Sequence, residues 1–205
     1  MTYLELARAE REDFADFLDG LAPEQWDHRS LCAGWSVRDV AAHCVSFEGL
    51  SPGKLAARFV EGHLQTDRIN ELAVADLADR PTEQLIALLR DNATPHGLGA
   101  GFCGRVALTD NMIHQQDIRR PLGLTRTIPA DRLRAALDFV RFAPTIRGAW
   151  QARGVKLVAT DLDWSFGRGP EVSGAGEALL LAMAGRQDAV ADLDGPGTRK
   201  LAARL

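Results

Sequence analysis

The chain has 205 residues, 46% hydrophobic and 25% charged, with a formal net charge of -4 and a pI near 5.7. A chain of this size can bury a sizeable core, and its composition excludes a disordered or membrane-embedded protein. The acidic balance speaks against nucleic-acid binding by phosphate neutralisation, since the only adjacent basic pairs are Arg119-Arg120 and Arg199-Lys200.

Residues 2–21 place Ala7, Phe14, Phe17, Leu18 and Leu21 at helical spacing, and Pro23 closes that amphipathic helix. The next helix has a clear start: Ser36 can cap it, Asp39 stands three residues on, and Trp35 with Val40 form a hydrophobic staple. Its inward stripe is Val40, His43, Phe47 and Leu50, so an imidazole shares the apolar face. A third helical region covers residues 54–77, a shorter helix follows Pro81 and Thr82 to Asn92, and Pro95, Gly97, Gly99, Gly101 and Gly104 make a loop. Helical spacing returns over residues 105–119, with Val106, Asp110, Ile113, His114 and Asp117 on one stripe, until Pro121 and Gly123 stop it. Pro129 opens a helix through Leu133, Leu137 and Val140 to Phe142.

Beyond Pro144 the pattern changes to strands over residues 155–160 and 162–166, a turn at Gly167, Gly169 and Pro170, and a short strand near Val172. A helix over residues 177–183 follows, and Gly195-Pro196-Gly197 introduces a last helix through Leu201 to Leu205. The expected fold is mainly α, an antiparallel four-helix bundle with one long crossover over residues 1–145 and a small α+β region over 146–205 packed on it.

Asp110 and His114 are four apart, which puts both side chains on one helix face within reach of a single ion, although a solvated surface pair has the same spacing. His43 on its own apolar stripe must find a partner for its nitrogens, as a hydrogen-bonded core histidine or as a ligand. Bundles build metal sites from such side chains on facing helices. Asp117 can orient an imidazole, and Arg119 and Arg120 can recognise an anionic substrate or form a solvated pair at the helix end. The three cysteines, Cys32, Cys44 and Cys103, lack CxxC spacing and read as inert thiols. Trp35 and Trp164 read as packing residues, and His28, His63 and His96 have no partner pattern.

The segment from Leu31 to His43, with Gly34-Trp35-Ser36-Val37, Asp39-Val40 and His43, resembles the first signature of the mycothiol-dependent maleylpyruvate isomerase family. His114-Gln115-Gln116-Asp117-Ile118-Arg119-Arg120-Pro121-Leu122-Gly123 is similar to its second signature. Residues 159–167 and 174–186 look like its small C-terminal region. The resemblance implies a DinB-like metal-binding bundle followed by a sterol-carrier-like segment, with the metal held by His43, Asp110 and His114. At position 110 the family commonly has glutamate, and an aspartate one methylene shorter calls for closer helices.

The resemblance further implies a divalent metal, zinc first and nickel second, with mycothiol as thiol cosubstrate. The implied activity is isomerisation of, or thiol transfer to, a small electrophilic molecule. A non-catalytic metal or small-molecule binding module and a metal hydrolase of a thiol conjugate are the alternatives. The protein is expected in the cytoplasm, as a monomer or homodimer, without nucleic-acid or membrane partners; no apolar run approaches the roughly 20 residues that span a bilayer.

Overall fold

A computed structural model describes residues 1–205, which divide into two compact units, 1–125 and 126–205. In the first unit, α1 (Tyr3–Asp19), α2 (Val37–Val45), α5 (Thr82–Asp91) and α6 (Arg105–Arg119) form the bundle, and α3 (Pro52–Glu61) and α4 (Thr66–Ala75) lie in the crossover from α2 to α5. Two helix starts are fixed by reciprocal caps. Thr2 N–H donates to Glu5 while Glu5 N–H donates to Thr2, and Ser36 exchanges the same pair of bonds with Asp39.

α1 and α2 each pack against both α5 and α6. The guanidinium of Arg105 lies 3.6 Å from the Tyr3 ring centre and that of Arg119 3.7 Å from the Phe17 ring, so α1 and α6 run parallel. α2 opposes α6, because Leu31, ahead of α2, donates to Asp117 O while His43, further along, meets Asp110. α5 opposes α1, with Arg11 donating to Asn92 O and Arg90 to Asp16 and Asp19. The bundle therefore runs up, down, down, up, and the crossover returns the chain to the end where α2 began. Arg38 of α2 there donates to the carbonyls of Ala78 and Arg80, just ahead of α5.

The apolar core holds Phe14, Leu18, Val37, Val40, Val45, Leu85, Leu89 and Ile118. α6 is unusual, because its buried residues include Thr109, Asn111, His114, Gln115, Gln116 and Asp117. Polar groups so placed need partners inside the protein.

The single helical region expected over residues 54–77 is broken. Gly62 caps α3, His63 and Leu64 adopt positive φ, and the chain re-enters as α4. A β-carbon at Gly62 would stand 2.3 Å from Ile69 Cγ1, so the turn folds back too tightly for any side chain there. α2 likewise stops at Val45, short of the expected stripe residues Phe47 and Leu50.

In the second unit, α7 (Ala130–Val140), α8 (Gly148–Gln151), α9 (Gly176–Met183) and α10 (Thr198–Ala202) accompany a four-stranded sheet in the order β2-β1-β3-β4. Its strands are β1 (Lys156–Ala159), β2 (Ser165–Gly167), β3 (Glu171–Gly174) and β4 (Leu193–Asp194). β1 pairs antiparallel with β2, Leu157 opposite Phe166, and parallel with β3, Leu157 opposite Val172. α7, placed by its sequence with the bundle, lies in this unit: it packs on α9, and Asp138 accepts from Trp164 Nε1 at 3.1 Å. The strand expected over 162–166 begins only at Ser165, because Trp164 N–H turns back to Leu162 O at 2.8 Å. α9 is buried from Ala178 through Met183 and is the apolar centre of this unit.

Inside the bundle Arg11 and Glu48 form a buried ion pair at 2.6 Å, their side chains 3% and 6% exposed. Gly99 of the glycine-rich loop packs against both, since a β-carbon there would lie 3.4 Å from each. Removing one partner strands a buried charge, so Glu48→Ala is expected to cost about 3–5 kcal/mol. Urea unfolding followed by circular dichroism measures this; a loss below about 1 kcal/mol, typical of an exposed pair, would contradict it.

Candidate metal centre

α2 and α6 cross so that three side chains meet. His43 Nε2 lies 3.9 Å and His114 Nε2 3.5 Å from Asp110 Oδ1, and the imidazole rings meet edge to face with centres 4.8 Å apart. His43 and His114 are buried, while 39% of the Asp110 side chain is exposed. Asp110 and His114 meet because four residues is about one helical turn, and His43 joins them because Val40 and Val45 set the inward face of α2.

The two rings are held differently. His114 Nδ1 lies 2.9 Å from Asp117 Oδ2, and Asp117 is wholly buried. That bond directs Nδ1–H toward Asp117 and leaves Nε2 facing Asp110 and His43. His43 instead packs between aromatic rings, its centre 5.1 Å from Trp35 and 6.3 Å from Phe47. Its Nδ1 is buried without a hydrogen-bond partner, and its Nε2 is too far from Asp110 for a good hydrogen bond. Hydrogen bonding therefore does not account for where His43 sits.

The donors suit a divalent ion. Around a tetrahedral ion with N and O ligands at about 2.0–2.2 Å, neighbouring ligand atoms stand about 3.4 Å apart. Here the two His–Asp separations are 3.5 and 3.9 Å, and all three donor atoms lie within 4.8 Å of one another. Aspartate thus reaches both imidazoles despite its shorter side chain.

Cys32, which from sequence looks inert, lies at this cluster. Its thiol donates to Asp117 Oδ2 at 3.2 Å, and Sγ lies 3.6 Å from His114 Nδ1. Cysteine, histidine and aspartate so grouped are also potential ligands, but separations of 2.9, 3.2 and 3.6 Å are those of a hydrogen-bonded network on the far side of His114. The pairing crosses more than eighty residues, and only the proximity of Cys32 to the Trp35 motif hinted at it. Cys44 is buried, and burial pushes its thiol far above the ordinary range, which keeps it unreactive.

The structure does not bring the arginines to the three donors. Arg119 stacks on Phe17 and donates to Thr125 O. Along the helix axis it stands about 14 Å from Asp110, with Arg120 as the C-terminal cap of α6. His96 is exposed and bonded within its own loop, to Thr94 O at 2.6 Å.

Burial alone would disfavour the Asp110 charge, but the neighbouring His114 cation, with the second imidazole of His43 close by, outweighs it and holds the carboxyl well below its usual range. Burial would likewise neutralise His114, yet the Asp110 charge, with hydrogen bonds to Asp110, Asp117 and Cys32, raises its pKa well above 6.5. In the metal-free protein this pair stabilises the fold fully between the two ordinary values. The contribution is lost as pH rises from 6.5 through the raised pKa of His114, and again as pH falls below 3.8 through the lowered pKa of Asp110.

Fold and site together define a helical bundle that carries a two-histidine, one-carboxylate cluster. Residues 7–96 match the family model described as the mycothiol maleylpyruvate isomerase N-terminal domain, a span that includes His43 and its motif but ends before Asp110. Two solved structures share the fold over 96% of this chain and 92% of theirs: a crystal structure of the mycothiol-dependent maleylpyruvate isomerase (14% identity, TM-score 0.55) and one of its histidine-to-alanine mutant (16%, 0.58). The matched family model and the two solved structures carry the same description, mycothiol-dependent maleylpyruvate isomerase. No curated protein sequence matches the chain.

Titration of metal-free protein by NMR tests the electrostatics. The His114 ring is expected to titrate well above 6.5, and Asp110→Asn to lower its midpoint, because burial then acts with less opposition. An unchanged midpoint in Asp110→Asn would show that Asp110 does not set it.

Proposed function

We propose that this chain is a metal-dependent enzyme that uses a low-molecular-weight thiol, mycothiol, to isomerise or conjugate a small electrophile. The observation that carries this reading is the convergence of His43 Nε2, Asp110 Oδ1 and His114 Nε2 at spacings suited to one divalent ion, within the fold of a mycothiol-dependent maleylpyruvate isomerase. Three protein donors leave a coordination position open, the pattern of catalytic rather than structural zinc sites. A bound ion supplies the acidification of a thiol that makes it a thiolate nucleophile.

The chain's own residues prepare that position. Asp117 fixes the orientation of His114 by accepting from Nδ1. Trp35 and Phe47 hold the His43 ring and remove water from its faces. Asp110, the most exposed of the three donors, marks the side from which thiol and electrophile approach. The donors favour zinc or nickel over magnesium or calcium, because two of the three are imidazoles.

Metal-free protein is expected to take up one equivalent of Zn²⁺. His43→Ala should weaken that uptake by at least about 100-fold, the upper end of what losing an outer partner of a metal ligand costs. Its far-UV circular dichroism should stay unchanged. Asp110→Glu should be the mildest ligand change. Absence of zinc and nickel uptake by the unaltered protein would sink the metal reading.

Zinc-loaded protein is then expected to turn over maleylpyruvate or another electrophile only when mycothiol is supplied. Failure across an electrophile panel would overturn the enzyme reading. Hydrolysis of thiol conjugates without added thiol would replace it with a metal hydrolase.

A further inference from the structure

We propose that Cys32 is a positioning residue of the metal centre: its thiol and His114 Nδ1 share Asp117, and that sharing holds His114 Nε2 toward the other two donors. The inference rests on the metal reading above and extends it to a residue outside the ligand set.

Asp117 Oδ2 accepts from His114 Nδ1 at 2.9 Å and from Cys32 Sγ at 3.2 Å. Asp117 is wholly buried, so its oxygens depend on donors within the protein, and each one lost leaves a lone pair dry. The thiol gives the oxygen that His114 uses a second donor, which narrows the orientation of the carboxylate and of the imidazole it holds. Without the thiol that oxygen has one donor fewer, and the direction of Nε2 is held less firmly.

The backbone around Cys32 is arranged to deliver the thiol. Leu31 N–H donates to Asp117 O at 2.9 Å, which pins the segment to α6. Cys32 N–H donates to Ser30 Oγ at 3.1 Å, and Trp35 N–H closes a turn on Cys32 O at 3.0 Å. At the other end of that turn Trp35 packs on His43. One short segment therefore holds both imidazoles, one through Asp117 and one through an aromatic face.

A donor and a space-filler give opposite results in the right variants. Serine keeps a donating hydrogen, valine fills the volume without one, and alanine does neither. Zinc affinity, measured by competition with a chelator, is expected to fall about 10-fold or more in Cys32→Ala and Cys32→Val and to stay within about 2-fold in Cys32→Ser. Exchange of the His114 Nδ1 proton with solvent, followed by NMR in metal-free and zinc-loaded protein, should quicken in the alanine and valine variants and remain slow in serine. If serine behaves like alanine, or alanine like the unaltered protein, in both measurements, Cys32 does not position the site. Should the unaltered protein take up no zinc, the metal reading fails, and proton exchange in the metal-free variants still decides the role of Cys32.

Discussion

The row Asp110, His114 and Asp117 on α6 is the constraint from which the rest of the bundle follows. These residues sit four and three positions apart, so they occupy one face over about two turns. His114 is the middle member, facing one carboxylate through Nε2 and the other through Nδ1. A buried imidazole flanked in this way is satisfied only if the rest of the bundle closes around it. α1 covers α6 along its length, the segment ahead of α2 donates to Asp117, and α2 supplies His43. The bundle helix with the most buried residues thus carries its most polar interior face, which costs stability unless the groups are paired or bind something.

Several features were legible in the sequence because they depend on near neighbours. The reciprocal cap of Ser36 and Asp39, the inward position of His43 and the Asp110–His114 spacing follow from helical geometry alone. The break at Gly62 was not, because helical spacing continues through it; Gly62 is needed only because Ile69 folds back onto it. The late start of β2 depends on a turn in which Trp164 donates to Leu162, and the place of α7 depends on Trp164 reaching Asp138. The pairings Arg11–Glu48 and Cys32–Asp117 are long-range in the chain, and a lone residue gives no sign of its distant partner.

The site was legible in the same proportion. Two ligand candidates came from one helix and could be read from spacing, whereas the third needed a motif on another helix. The outer network was half seen: Asp117 lies three residues from His114 and so was within reach of a periodicity argument, while Cys32 lies in a loop without periodicity. The arginines at the end of α6 have the right charge for an anionic ligand, but helical rise sets Arg119 apart from Asp110, and Phe17 engages its guanidinium.

The contrast between the two histidines explains why α2 and α6 contribute differently. His114 is fixed by directional bonds within its own helix and from the adjoining loop, so its orientation is set once that loop docks. His43 is fixed by shape, between Trp35 and Phe47, with no hydrogen bond to Nδ1. Aromatic packing restricts the plane of a ring more than its rotation within that plane, and an ion at Nε2, as proposed above, would supply the missing direction. Asp110 then completes the set from the accessible side, where a carboxylate can adjust. A rigid donor, a planar donor and an adjustable donor together would suit the proposed ion, whose remaining ligand would change during a reaction, whereas a cluster of three equally rigid side chains would resist that change.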